Sequence, residues 1–159
     1  MNIIVFTIVS LLHNLFTAIW IGGMVVLAFA VLPSIKGSMG MGPEAKKLID
    51  TIRDRLSRLI YVAFIVLILT GVLMSNSSSE FAGFFSLATP YSTALTIKHL
   101  IVASMIVISL LRSLVIPRQQ MDEKKRMKVM MLLLLTNIVL GIGVLAVSSY
   151  LAALVRPAV

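Results

Sequence analysis

A chain of 159 residues without a single cysteine holds at most one compact domain, and it excludes disulfides, thiolate metal sites, covalent c-type haem and iron–sulfur clusters. It is 59% hydrophobic and only 13% charged, whereas soluble domains are about half apolar and about one quarter charged. The net charge of +8 is concentrated in two short stretches between apolar runs, which is the pattern of membrane topology and not of a nucleic-acid-binding face.

Four stretches reach the roughly 20 apolar residues that cross the hydrocarbon core. The first runs from about Ile3 to Leu32 and is expected to stop at Pro33. It is too long for a signal-peptide core and has no basic leading segment, so it reads as a retained helix. The second runs from about Leu59 to Met74, after a polar helical lead-in that starts near Pro43, a residue suited to a first helical turn. Between Ser75 and Ser92 lies an outer segment with Phe81, Phe84, Phe85, Leu87 and Tyr91 among small polar residues. Two readings stand for it: an interfacial piece, such as a short helix, that caps the outer half of the bundle, or a plain connection anchored by aromatics. The third stretch runs from about Thr93 to Ile116 before Pro117, and the fourth from about Val129 to Leu154 before Pro157. The expected architecture is all-α: an integral membrane four-helix bundle, up-down-up-down, forming one membrane domain over residues 1–159.

Orientation follows from the basic residues. Lys36, Lys46, Lys47, Arg53, Arg55 and Arg58 lie between the first and second helices; Arg112, Arg118, Lys124, Lys125, Arg126 and Lys128 lie between the third and fourth. Only Lys98 and Arg156 fall elsewhere. The expectation is a multi-pass protein of the cell membrane with both basic loops cytoplasmic and both termini outside.

The only two histidines, His13 and His99, fall within the first and third helices. Ionisable groups inside membrane helices are costly and face a bundle interior or a cavity. Both helices run inward from the outer side, which puts the two rings roughly 10–15 Å from the outer ends and level to within about one turn. Two histidines at one depth on separate helices are what a bis-histidine b-type haem needs. The competing structural reading is a pair of polar residues hydrogen-bonding between helices.

The neighbours at helical spacing are Phe16, Thr17 and Trp20 around His13, and Thr96, Ala103 and Ile106 around His99. The second helix adds Thr70, Gly71 and Met74; the fourth adds Asn137, Gly141, Val144 and Ser148. Small residues beside polar ones make room for a flat ligand, and they are equally how membrane helices ordinarily pack. Lys98 points about 100° from His99, toward the interface or toward a haem propionate. Met24, Met74 and Met105 lie within the membrane, and soft thioethers suit Cu(I), although no compact methionine ladder is present. The six acidic residues all fall in loops or at helix ends, and there is no Gly-rich phosphate loop or nucleophile–base pair, so nothing points to catalysis of the soluble type.

The segment Leu12-His13-Asn14-Leu15-Phe16-Thr17-Ala18-Ile19-Trp20-Ile21-Gly22-Gly23, followed by Pro33, resembles the first-helix signature of the copper-resistance D (CopD) superfamily. Leu69-Thr70-Gly71, Lys98 and Asn137-Ile138-Val139-Leu140-Gly141 look like its later-helix motifs, so the resemblance spans all four helices. That superfamily includes copper-uptake components and is similar to the four-helix HemJ-type protoporphyrinogen oxidases, which bind b-haem. In those oxidases a first-helix His and a third-helix Lys matter, and the resemblance carries these roles to His13 and Lys98. His99, beside that Lys, departs from the pattern and completes a pair of imidazoles.

The leading expectation is a membrane b-type cytochrome with His13 and His99 as axial ligands of haem b, working in one-electron transfer or redox sensing. Around the haem it places Trp20, Phe16, Thr17, Lys98, Ala103, Gly71, Met74, Asn137 and Gly141. Its partners are the lipid bilayer and an electron donor or acceptor, such as a quinone or a redox protein, and a homodimer is compatible with the sequence. The alternatives are a copper transport or handling protein that uses His13, His99 and the membrane methionines, and a protoporphyrinogen oxidase-like enzyme.

Overall fold

The computed structural model describes residues 2–77 and 81–155, and among them are four long helices and no strand. These are α1 (Ile3–Met39), α2 (Pro43–Ser75), α3 (Pro90–Arg118) and α4 (Glu123–Leu154), each long and apolar enough to cross a membrane. The all-α four-helix membrane bundle expected from hydropathy is therefore the architecture observed. Arg156 and Pro157 lie outside the described residues, as do Ser78, Ser79 and Glu80 of the outer segment.

Neither helix-interior proline ends its helix where expected. α1 passes through Pro33 and continues to Met39, and α3 passes through Pro117 to Arg118. In both, one wide turn precedes the proline: Leu27–Val31 and Leu111–Val115 are π-helical. Leu32 N–H reaches back to Leu27 O, and Ile116 N–H to Leu111 O, a spacing of five residues in each case. A π turn widens the backbone where a proline ring would clash with the carbonyl four residues before it. α1 then stops at Gly40, whose φ of 69° lies in the left-handed region that favours glycine. α2 opens with Pro43 in its first turn, as expected.

The starts of α1 and α3 are capped by side chains. The Asn2 side chain accepts from Ile4 N–H at 3.1 Å at the start of α1, and the Thr89 hydroxyl accepts from Ser92 N–H at 3.0 Å at the start of α3. α3 therefore begins three residues earlier than hydropathy suggests, and α4 starts at Glu123, ahead of its apolar run.

α1 packs along α2 and α3 along α4, with α1 also touching α4. The shared core gathers Trp20, Met24, Ala63, Phe64, Met105, Leu134 and Ile138. Trp20 meets Phe64 edge-on, with ring centroids 4.6 Å apart. Many large apolar side chains, including Ile8, Leu15, Leu69, Leu100 and Val139, face outward, as lipid-facing positions do. Polar links tie the helices together where lipid offers no competing hydrogen bond. Asn137 of α4 is fully buried, and its Nδ2 donates to Met105 O at 3.2 Å and to Ser109 Oγ at 2.8 Å on α3. The hydroxyls of Tyr61 on α2 and Ser113 on α3 are hydrogen-bonded to each other. At the basic end, Lys46 of α2 pairs with Glu123 of α4 at 2.6 Å.

Arg112 is not a loop charge. It belongs to the π turn of α3 and is only 6% exposed. Of the outer segment, Ser75 ends α2 and residues 90–92 open α3; the described residues between them, 76–77 and 81–89, hold turns and bends and no helix. Gly83 at φ 119° and Phe85 at φ 61° break any helical run there.

Candidate functional site

His13 is ten residues beyond Ile3 and His99 nine beyond Pro90, so each lies roughly 14–15 Å along its helix. Both rings are half-buried.

Their hydrogen bonds assign the ring protons. His13 Nδ1 lies 2.8 Å from Thr70 Oγ1, and the Thr70 hydroxyl is itself 2.6 Å from Val66 O. The single Thr70 proton goes to the Val66 carbonyl, so Oγ1 accepts and His13 Nδ1–H donates. On α3, His99 Nδ1 lies 2.7 Å from Leu95 O, and a carbonyl only accepts, so this ring is also protonated at Nδ1. Among the described residues, nothing hydrogen-bonds the Nε2 lone pair of either imidazole. That is the form in which histidine binds a metal, its other nitrogen held by an outer partner.

The surroundings of the rings differ. A Cβ built on Gly71 would stand 3.6 Å from His13 Cε1, so His13 packs on the bare backbone of α2. Thr17 donates to His13 O at 2.7 Å, and Phe16 leans on the core. Met74, half-buried, follows Gly71 by about one turn. His99 meets the outer segment instead: Phe84 lies edge-on at 5.6 Å between centroids and Phe85 at 6.4 Å. Phe85 holds its ring there from a backbone conformation that side chains rarely adopt. The capping reading of the outer segment thus has a concrete form, with two phenyl rings over His99. Lys98 is half-buried and near enough for its charge to act on both imidazoles.

Other candidates sit elsewhere. Trp20 and Asn137 belong to the core, as does Met105, which is 1% exposed, and Met24, which is fully buried. Two polar atoms there have no partner among the described residues, Trp20 Nε1 and Asn137 Oδ1. Gly141 is a packing position, because a Cβ there would meet Ile21 Cγ1 and Cγ2 at 3.3 Å and Met105 Cε at 3.4 Å. Ala103 is exposed on the outward edge of α3, not beside the bundle interior. The cause is that His99 itself sits at the margin of the buried face, so the residue one turn further has rotated toward lipid.

Among the described residues, no three or more His, Cys, Asp or Glu side chains form a cluster able to hold a metal ion. An open apolar cavity of about 710 Å³ lies between the end of the outer segment and α3 and α4, lined by residues such as Leu87, Thr93, Ile97 and Tyr150 and by neither histidine. A second, of about 650 Å³, lies at the basic end among α2, α3 and α4. Sequence reasoning missed the burial of Arg112, for which its apolar flanks Leu110, Leu111, Leu114 and Val115 were a signal.

The chain was compared with known proteins. A family model described as Copper resistance protein D matches residues 50–151, which is well over half of the chain. The match begins within α2 and includes Lys98, His99 and Asn137; the His13 segment of α1 precedes it. No curated protein and no solved structure matches.

Proposed function

The chain belongs to the copper resistance protein D family, and from that premise we propose that it is a membrane protein that binds and passes copper ions, with His13 and His99 as first ligands. The observation that carries this reading is the shared tautomer: each ring is held at Nδ1 and offers a bare Nε2. Imidazole and thioether are soft enough for Cu(I), while hard cations need the oxygen-rich clusters that the described residues lack. Met74 stands about one turn from Gly71, against which His13 packs, and supplies a thioether at that depth. Met24 and Met105, sealed in the core, offer the next soft donors toward the middle of the membrane.

Copper is cargo in this reading. A positive charge on Lys98, close to both rings, would oppose a resident cation. A site weakened in this way exchanges its ion, as a conducting site must. With the basic loops cytoplasmic, the histidines face the outer half and receive the ion first.

The test is a Cu(I) titration of purified protein against a chromophoric chelator. Bound copper is expected, and His13→Ala and His99→Ala are expected to weaken it by about tenfold or more each while the protein stays in the membrane. Copper binding that neither substitution affects defeats the ligand assignment.

Haem b between the same histidines is the second reading, since axial ligation uses the same tautomer. The family match favours copper over it. An optical spectrum separates the readings: a Soret band that sharpens on reduction supports haem, and a colourless protein that binds copper supports the cargo reading.

A further inference from the structure

At the opposite end of the bundle, Arg112 presents a problem that no described residue answers. It is 6% exposed, within a helix apolar enough to cross a membrane, and makes no hydrogen bond or ion pair among the described residues. Its Nη1 is sealed from solvent without a partner. A buried, unpaired charge is penalised by several kcal/mol, so such groups are ordinarily paired. Another cation, Arg53, is close enough for its charge to act on it.

Arg53 lines the cleft of about 650 Å³ at this end, together with Arg58 and Arg126. The pocket's acidic groups are Asp50 and Asp54. Asp50 is already engaged by Arg53 at 2.9 Å, and the nearby Glu123 is engaged by Lys46. Asp54 is thus the one lining carboxylate without an ion pair among the described residues, in a wall that also holds Arg58 and Arg126; Arg112 is next in sequence to the lining Ser113 and is not itself in the lining. The hydroxyls of Tyr61 and Ser113 stand in the same wall, and Leu114, Pro117 and Met130 make part of it apolar.

We propose that this cleft binds a phosphate-bearing anion, with Arg126 and Arg58 contacting it and Arg112 supplying the positive field beneath. Guanidinium groups match phosphate oxygens in pairs, and basic pockets between membrane helices accept phosphorylated head groups. The same chemistry is offered by the head group of an anionic lipid and by free phosphate. The apolar part of the wall suits a lipid, whose chains would leave along the membrane. This site stands apart from the histidines and does not depend on the copper reading.

The experiment measures thermal unfolding of the full chain in a neutral detergent, with phosphatidylglycerol, phosphatidylcholine or inorganic phosphate added. Arg112→Gln and Arg126→Gln are compared with Lys36→Gln, which removes an exposed charge on the same side. Phosphatidylglycerol is expected to raise the unfolding temperature more than phosphatidylcholine, with half-saturation about tenfold higher in Arg126→Gln and unchanged in Lys36→Gln. An equal effect of inorganic phosphate identifies a free anion as the ligand; an effect of phosphatidylglycerol alone identifies a lipid. Equal weakening by Lys36→Gln and Arg126→Gln, or no stabilisation by either anion, overturns the proposal. Arg126 is only half-buried, so that variant reads out the site even if Arg112→Gln fails to fold.

Discussion

His13 Nδ1 and Thr70 Oγ1 stand 2.8 Å apart, and because the Thr70 proton is committed to Val66 O, the bond ties α1 to α2 and leaves His13 Nε2 as the free donor atom. Thr70 is therefore a positioning residue for His13. Thr70→Val keeps the shape and removes the acceptor. It is expected to weaken Cu(I) binding about tenfold, in the range of outer-partner substitutions at metal sites, while Thr70→Ser restores it. Chelator competition on the three proteins checks this; equal affinity in Thr70→Val refutes the role.

Phe84 and Phe85 cover His99 from the outer segment. Replacing both with Ala is expected to speed modification of His99 by diethyl pyrocarbonate and to leave His13 at its original rate. Mass spectrometry of the labelled peptides gives both rates. If the two histidines respond alike, the phenyl rings are not a cover specific to His99.

Gly141 and Gly143 differ in what surrounds them. A Cβ at Gly141 would meet Ile21 at 3.3 Å and Met105 at 3.4 Å, whereas at Gly143 the nearest atom is Ile101 Cδ1 at 3.9 Å. Gly143→Ala is expected to be neutral or slightly stabilising, as alanine in a helix normally is. Gly141→Leu is expected to destabilise by about 1–3 kcal/mol through overpacking. Unfolding in mixed micelles compares them, and the reverse order would contradict the packing described for α1, α3 and α4.

Asn137 holds α4 to α3 through two bonds donated by one amide nitrogen. Asn137→Ala is expected to destabilise the bundle by about 1 kcal/mol, the scale of interhelical hydrogen bonds in membranes. The same micelle assay measures it. An unchanged midpoint would mean that Ser109 and the Met105 carbonyl find other partners.

Several features of the site were legible along the chain. His13, Thr70 and Gly71 sit at helical positions that put them at one depth, and the structure brings the three together. The tautomers were not legible, because each depends on an acceptor that only a folded helix or a neighbouring helix supplies. Helical spacing sets Ala103 on the face of His99 and Gly141 in the stripe of the fourth helix, yet Ala103 faces outward and Gly141 is a packing contact. Helical periodicity gives a face but not its rotation against the other three helices.

What the sequence alone determined is the four-helix membrane bundle. Length and hydropathy are properties of each segment by itself, and a segment in lipid must satisfy its own backbone as a helix. Tertiary structure decided the rest. It carried α1 and α3 past Pro33 and Pro117 on π turns, set Phe84 and Phe85 over His99, and buried Arg112 without a counter-charge among the described residues. Each of these outcomes depends on which helix lies beside which, or on how a turn relaxes under packing, and neither is encoded in the composition of one segment.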